Sequence, residues 1–96
     1  MLEVTTVPRI HPQVAARILD GRAIIVLADV GEVLVLNPSG ARLWQQIDGR
    51  RVVGDLAAAL ATAYQIDATT ARQDAQLFVQ TLIDAGAVET QVTSVT

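Results

Sequence analysis

The chain contains no cysteine. Disulfides, thiol nucleophiles and thiolate metal sites are therefore excluded, and a domain of 96 residues must be held together by packing alone. Lysine is absent too: all seven basic residues are arginine, and they face ten acids for a net charge of -3. A nucleic-acid binder needs a positive face to displace counterions from phosphate, and this balance works against one. Histidine occurs once, as His11 in a proline-flanked segment, so no histidine ligand set for a metal can form around it. Phosphate-cradling loops are missing, because Gly49 and Gly54 fit neither the P-loop nor the dinucleotide-binding pattern. The apolar run Ala23 to Ala28 has six residues, far fewer than the roughly 20 that cross a bilayer. The opening MLEVTTVPRI lacks the basic start and apolar stretch of a secretory signal. The expectation is one cytoplasmic domain over residues 1–96, without cofactor, metal or membrane anchor.

What the chain does have is aliphatic residues in ordered patterns. Residues up to about Gln13 read as an extended lead-in punctuated by Pro8 and Pro12. Ala15–Leu19, Arg22–Ala28 and Glu32–Leu36 then read as strands, separated by Asp20-Gly21, a two-residue hairpin signature, and by Asp29-Val30-Gly31, a three-residue loop ending in glycine. Short loops impose an antiparallel meander. Its middle strand, AIIVLA, is apolar throughout and is expected to be the best buried; the third strand is left at an edge.

The third strand runs straight into Asn37-Pro38, where an Asn oxygen can cap a helix and Pro can occupy its first turn. Leu43, Trp44 and Ile47 follow at helical spacing, with Asp48-Gly49 as the stop and Ser39 as a second capping group. A second helix spans about Val53 to Tyr64, with Leu56, Leu60 and Tyr64 on one stripe. A third, capped by Asp67 or Thr69 and closed by Gly86, carries Ala71, Ala75, Phe78, Leu82 and Ala85. Leu77, Val79 and Ile83 widen that stripe beyond what one core contact needs, so the helix is expected to cover a second surface. Ala87-Val88-Glu89 reads as a short extended piece, and residues 90–96 as a loose tail beyond a core of about 8–89.

Catalytic groups do not converge. Ser39 has no spaced His/Asp pair to activate it, and Asp20, Asp29, Asp48 and Asp67 all fall at turns or helix ends, where carboxylates serve as cap and turn residues. Trp44 reads as a core anchor, and Arg50-Arg51 as solvated charge. The chain is expected not to be an enzyme.

Taken in order, these residues resemble the PqqD family, the small proteins of pyrroloquinoline quinone synthesis and their relatives, generalised as the recognition element of ribosomally synthesised and post-translationally modified peptides (RiPPs). The resemblance rests on Pro8, His11-Pro12, Asp20-Gly21, the run Leu36 to Ala41 with Leu43-Trp44 and Asp48-Gly49, then Leu56, Leu60, Tyr64, Asp74, Phe78, Leu82 and Gly86. It implies an α+β, winged helix-turn-helix-like fold: a three-stranded antiparallel sheet followed by three helices. It also implies a function, capture of the leader segment of a precursor peptide by strand addition between the third strand and third helix, and presentation to a modifying enzyme. The residues so implicated are Val33, Leu34, Val35 and Leu36 for the ladder and Arg72, Asp74, Ala75, Phe78, Val79 and Leu82 for the helix wall. Which face of the third strand lines the groove stays open at this point.

The run LNPSGARLW is more similar to relatives found with lasso peptides than to the quinone-pathway proteins. The implied partner enzyme is a leader peptidase in the first case and a radical-SAM enzyme otherwise, with the protein itself a monomer or weak homodimer. The competing reading is a DNA-binding winged helix. It would need a basic recognition helix, and residues 67–85 carry one Arg against three Asp.

Overall fold

The computed structural model describes residues 2–90. Eight elements follow in chain order: β1 (Pro8–Ile10), β2 (Val14–Leu19), β3 (Arg22–Leu27), β4 (Glu32–Leu36), α1 (Pro38–Gln45), α2 (Val53–Tyr64), α3 (Ala68–Ala85) and β5 (Val88–Thr90). The antiparallel sheet β2-β3-β4 and the three helices match the expected α+β architecture. At the first hairpin, Leu19 pairs with Arg22, and Asp20 and Gly21 both take positive φ, the conformation that a two-residue turn requires.

Four local expectations need correction. Leu27 pairs with Glu32, so the second loop holds Ala28 as well as Asp29-Val30-Gly31. Helix α1 ends at Gln45, three residues before Asp48-Gly49; Asp48 instead accepts the backbone N–H groups of Arg50 and Arg51 at 2.9 and 2.8 Å, fastening the next turn. The Ser39 hydroxyl donates to Asn37 Oδ1 and so supports the cap instead of adding a second one. Asp67 occupies the cap position of α3, but its side chain makes no capping hydrogen bond.

The helices cover one face of the sheet only. Ala23, Ile25 and Leu27 point inward and are buried against Leu43, Trp44, Leu56, Val79 and Leu82. Val26 points the other way and is exposed, and Ile24 is only half-buried. The apolar middle strand is therefore not buried on both sides, because among the described residues no element lies over the outer face. Tyr64 also stays outside the core, exposed beneath the Arg42 guanidinium, which sits 5.9 Å from its ring centroid.

The two ends of the described chain meet. β1 pairs with β5, joining Pro8 to Thr90 and Ile10 to Val88, with Arg9 and Glu89 in a half-exposed ion pair at 3.6 Å. The lead-in is thus a strand, with Pro8 buried, and Thr90 is part of β5; the rest of the expected loose tail lies outside the described residues. Ahead of β1, the carbonyls of Val4 and Thr6 accept the first N–H groups of α2, from Gly54 and Val53, both at 2.8 Å. Asp55 reaches back to the Val52 N–H at 3.1 Å. Donors that a helix start leaves orphaned are all used. The Leu2 carbonyl accepts from Gln76 Nε2 at 2.7 Å, which ties the same segment to α3.

Trp44 is buried, and Trp44→Ala is expected to lower unfolding free energy by about 3–5 kcal/mol in chemical denaturation. The backbone N–H groups of Arg51 and Arg50, hydrogen-bonded to it, hold the Asp48 carboxyl below the usual aspartate range. A depressed folded pKa contributes stability above the unfolded value, lost as pH falls through the folded one. Asp48→Asn should therefore lower the melting temperature at neutral pH, with the gap to wild type closing as pH falls below the usual aspartate range and Asp48 takes up its proton.

Candidate functional site

The strand-to-helix junction builds the site. Asn37 follows β4 directly, and its Oδ1 accepts the Gly40 N–H at 2.8 Å while Pro38 occupies the first helical position. Such a tight junction needs a small residue. A Cβ on Gly40 would meet Leu36 Cβ at 3.2 Å, Asn37 Oδ1 at 3.3 Å and Phe78 Cε1 at 3.4 Å. Gly40 is therefore the point where β4, α1 and α3 converge.

Above that point lies a hollow of about 440 Å³. Leu43, Leu60 and Gly40 are its buried lining residues, with Leu36 and Phe78 half-buried beside them. Val35 and Asn37 form the strand side, and Asp74 and Leu77 the helix side. Asp74 is the single charged residue of the lining. Leu77 is 68% exposed, the most open large apolar side chain among the described residues.

Among the described residues the edge of β4 beside the hollow has no strand partner. The two-residue turn makes Leu19–Arg22 a hydrogen-bonded pair, and bonded pairs alternate along an antiparallel ladder. Residues 22, 24 and 26 thus bond to β2, leaving Ala23, Ile25 and Leu27 to bond to Leu36, Leu34 and Glu32. The backbone groups of Val33 and Val35 consequently point away from the sheet. Leu34 and Leu36 turn inward, whereas Val33 and Val35 lie on the outer face, 57% and 61% exposed; the hollow is lined by one residue of each pair, Leu36 and Val35.

Of the residues implicated by sequence, Val35, Leu36, Asp74 and Phe78 meet at the hollow. Val33 extends the same edge, and Leu34 packs against the core. Ala75, Val79 and Leu82 are buried at 0–1% exposure and offer no side-chain surface; they hold α3 in place. Arg72 is exposed outside the lining. Sequence reasoning did not reach Gly40, Leu43 or Leu60, which enter from α1 and α2 and have no local pattern separating them from ordinary core. Leu77 had a signal, the excess width of the apolar stripe.

Fold and site together define a small two-layer α+β domain with an unpaired strand edge beside an apolar hollow. Residues 13–88 match the family of coenzyme PQQ synthesis protein D (PqqD), and the chain belongs to that family. No curated protein matches it. Among solved structures, TbiB1 in complex with the TbiA(beta) leader peptide superposes with a TM-score of 0.79 at 20% identity, covering 84% of this chain and 94% of that one. A lasso peptide synthetase B1 complexed with the leader peptide gives 0.78 at 23% identity, covering 86% and 98%. The PqqD truncation of Methylobacterium extorquens PqqCD, described as a stand-alone RiPP recognition element, gives 0.75 at 19%, covering 93% and 95%. The fold is thus that of the RiPP recognition elements. Among the described residues no helix is long and apolar enough to cross a membrane.

The two faces of α3 can be told apart by stability. Leu82→Ala should cost about 2–5 kcal/mol, whereas Leu77→Ala should stay within about 0.5 kcal/mol of wild type in urea denaturation.

Proposed function

We propose that this protein is a non-catalytic recognition domain. It captures the leader segment of a ribosomally made precursor peptide and presents it to a modifying enzyme. The observation that carries the reading is the free edge of β4, with the outward backbone groups of Val33 and Val35, directly beside the hollow between β4 and α3. A strand laid along this edge gains main-chain hydrogen bonds whatever its sequence, while every second side chain is directed to the helix side. Val33 to Leu36 supply the ladder. Phe78, Leu77 and Leu36 receive apolar leader residues, and Asp74 is available for a polar contact. Arg72 lies farther out on the helix, where it can meet a longer peptide. Two of the similar structures are complexes with leader peptides, which supports the reading.

The modifying enzyme is a leader peptidase or a radical-SAM enzyme acting on the precursor; the run LNPSGARLW favours the lasso branch and hence the peptidase. The DNA-binding reading has less behind it. Helix α3 carries Arg72 against Asp74 and Asp84, so a groove-reading helix would bring net negative charge to phosphate.

Fluorescence anisotropy with a labelled leader peptide tests the proposal. Val35→Pro removes an outward-facing donor without touching the β3–β4 ladder, so the variant should keep its circular dichroism spectrum while binding at least about tenfold more weakly, the cost of roughly one lost hydrogen bond plus local ladder distortion. Wild-type affinity in a folded Val35→Pro protein would sink strand addition at this edge.

A further inference from the structure

The exposed side of α3 has two slopes. At about 100° per residue, Asp74 and Phe78 lie to one side of Leu77, toward β4, while Gln73, Gln76 and Gln80 lie to the other. Leu77 is the crest between them. A second hollow, of about 250 Å³, occupies the far slope and is lined by Leu2, Gln73, Gln76, Leu77 and Gln80, with no charged side chain. Leu77 belongs to this hollow and to the one beside β4, so the two join across the crest. We propose that the far hollow is a second subsite for the same peptide: the leader leaves the β4 ladder, crosses α3 over Leu77 and seats an uncharged apolar side chain against Leu2. The inference rests on the peptide-binding reading above.

Continuity selects the occupant. The first hollow lies at the Leu36–Asn37 end of β4, where the ladder stops, so a peptide that extends past this end meets α3 beside Asp74 and Leu77. Crossing a helix takes roughly 10 Å, or about three extended residues. Leu77, the most open large apolar side chain among the described residues, is then covered from both slopes.

The outer wall of the far hollow comes from the segment ahead of β1. Gln76 Nε2 donates to the Leu2 carbonyl at 2.7 Å, and the Val4 and Thr6 carbonyls tie the same segment to α2, so Leu2 is held half-buried against the helix. Gln80 donates its amide to Asp84 at 2.9 Å. Gln73 forms no side-chain hydrogen bond among the described residues, which leaves its amide to meet the backbone of the crossing peptide. Leu2 lies outside residues 13–88, the part matched to the family, so the far subsite adds selectivity beyond the shared frame.

Leu2→Asp tests this, since it puts a charge in the far hollow without touching β4 or the first hollow. The probe is a labelled leader peptide from the precursor encoded beside this protein, used at full length and shortened stepwise from each end. In fluorescence anisotropy, Leu2→Asp should bind the full leader at least about fivefold more weakly than wild type. Shortening one end past the crossing residues should weaken wild type and bring the two proteins within about twofold of each other. Gln73→Glu and Gln73→Arg, at an exposed position, should each weaken full-leader binding about threefold, because a charge of either sign is desolvated beneath an apolar residue; they carry the test alone if Leu2→Asp loses its fold. Wild-type affinity for the full leader in folded Leu2→Asp, or in both Gln73 variants, would overturn the proposal. So would a Leu2→Asp deficit that persists with every shortened leader, since Leu2 would then act only by holding α3, or a wild-type dimer in sedimentation that Leu2→Asp dissolves. If wild-type protein failed to bind the leader at all, the peptide-binding reading would fall and this inference with it.

Discussion

The geometry of the molecule depends on the absence of a linker between β4 and α1. Asn37 ends the strand and caps the helix with one side chain, its Oδ1 held by the Gly40 N–H on one side and the Ser39 hydroxyl on the other. A looser connection would let α1 swing over the strand edge. As built, the helix leaves along a fixed direction, places Leu43 at the hollow and carries Trp44 into the core. Gly40 allows α3 to approach the same point, so that Phe78 comes within contact of the junction. The edge stays open because the chain turns away from it at once.

A second constraint holds the helices in register behind that edge. The segment ahead of β1 runs across the starts of α2 and the flank of α3, giving carbonyl acceptors to Val53, Gly54 and Gln76. The β1-β5 ribbon ties the exit of α3 back to the entry of the sheet, with the His11 N–H bonding to the Ala87 carbonyl at 3.0 Å. In a chain without disulfides, main-chain bonds between distant segments supply the cross-links.

Most of the fold was legible because its signals are local. Asp20-Gly21, Asn37-Pro38 and Gly86 each act on their own few residues, and the structure places a turn, a helix start and a helix stop there. The β1–β5 pairing was not legible, since it joins short segments from opposite ends with no periodicity to mark them. Nor was the side of the sheet that faces water. Strands β3 and β4 are apolar at nearly every position, so alternation could not assign a face. Helix α3 posed the same difficulty at the site: Leu77, Phe78 and Val79 are consecutive, and only packing decides that Val79 is core, Phe78 half-buried and Leu77 open. Leu43 and Leu60 reach the hollow from other helices, which no spacing rule within one element can show.

That ambiguity has a physical source in β4 itself. A strand with one polar face would show clean alternation, and β4 does not: Leu34 and Leu36 meet the core, while Val33 and Val35 are equally apolar and stay exposed on the other face. Recognition through the backbone of such a strand requires an open edge and a fixed hollow, not particular side chains along the edge. Neighbours at 19–23% identity can therefore share the frame while the hollow walls differ. In the proposed function selectivity falls to residues such as Asp74, Leu77 and Phe78, which line the hollow and are tethered to the frame through the buried Ala75, Val79 and Leu82 of the same helix. The buried half of α3 sets where the wall stands, and in the proposed function the exposed half sets what it accepts.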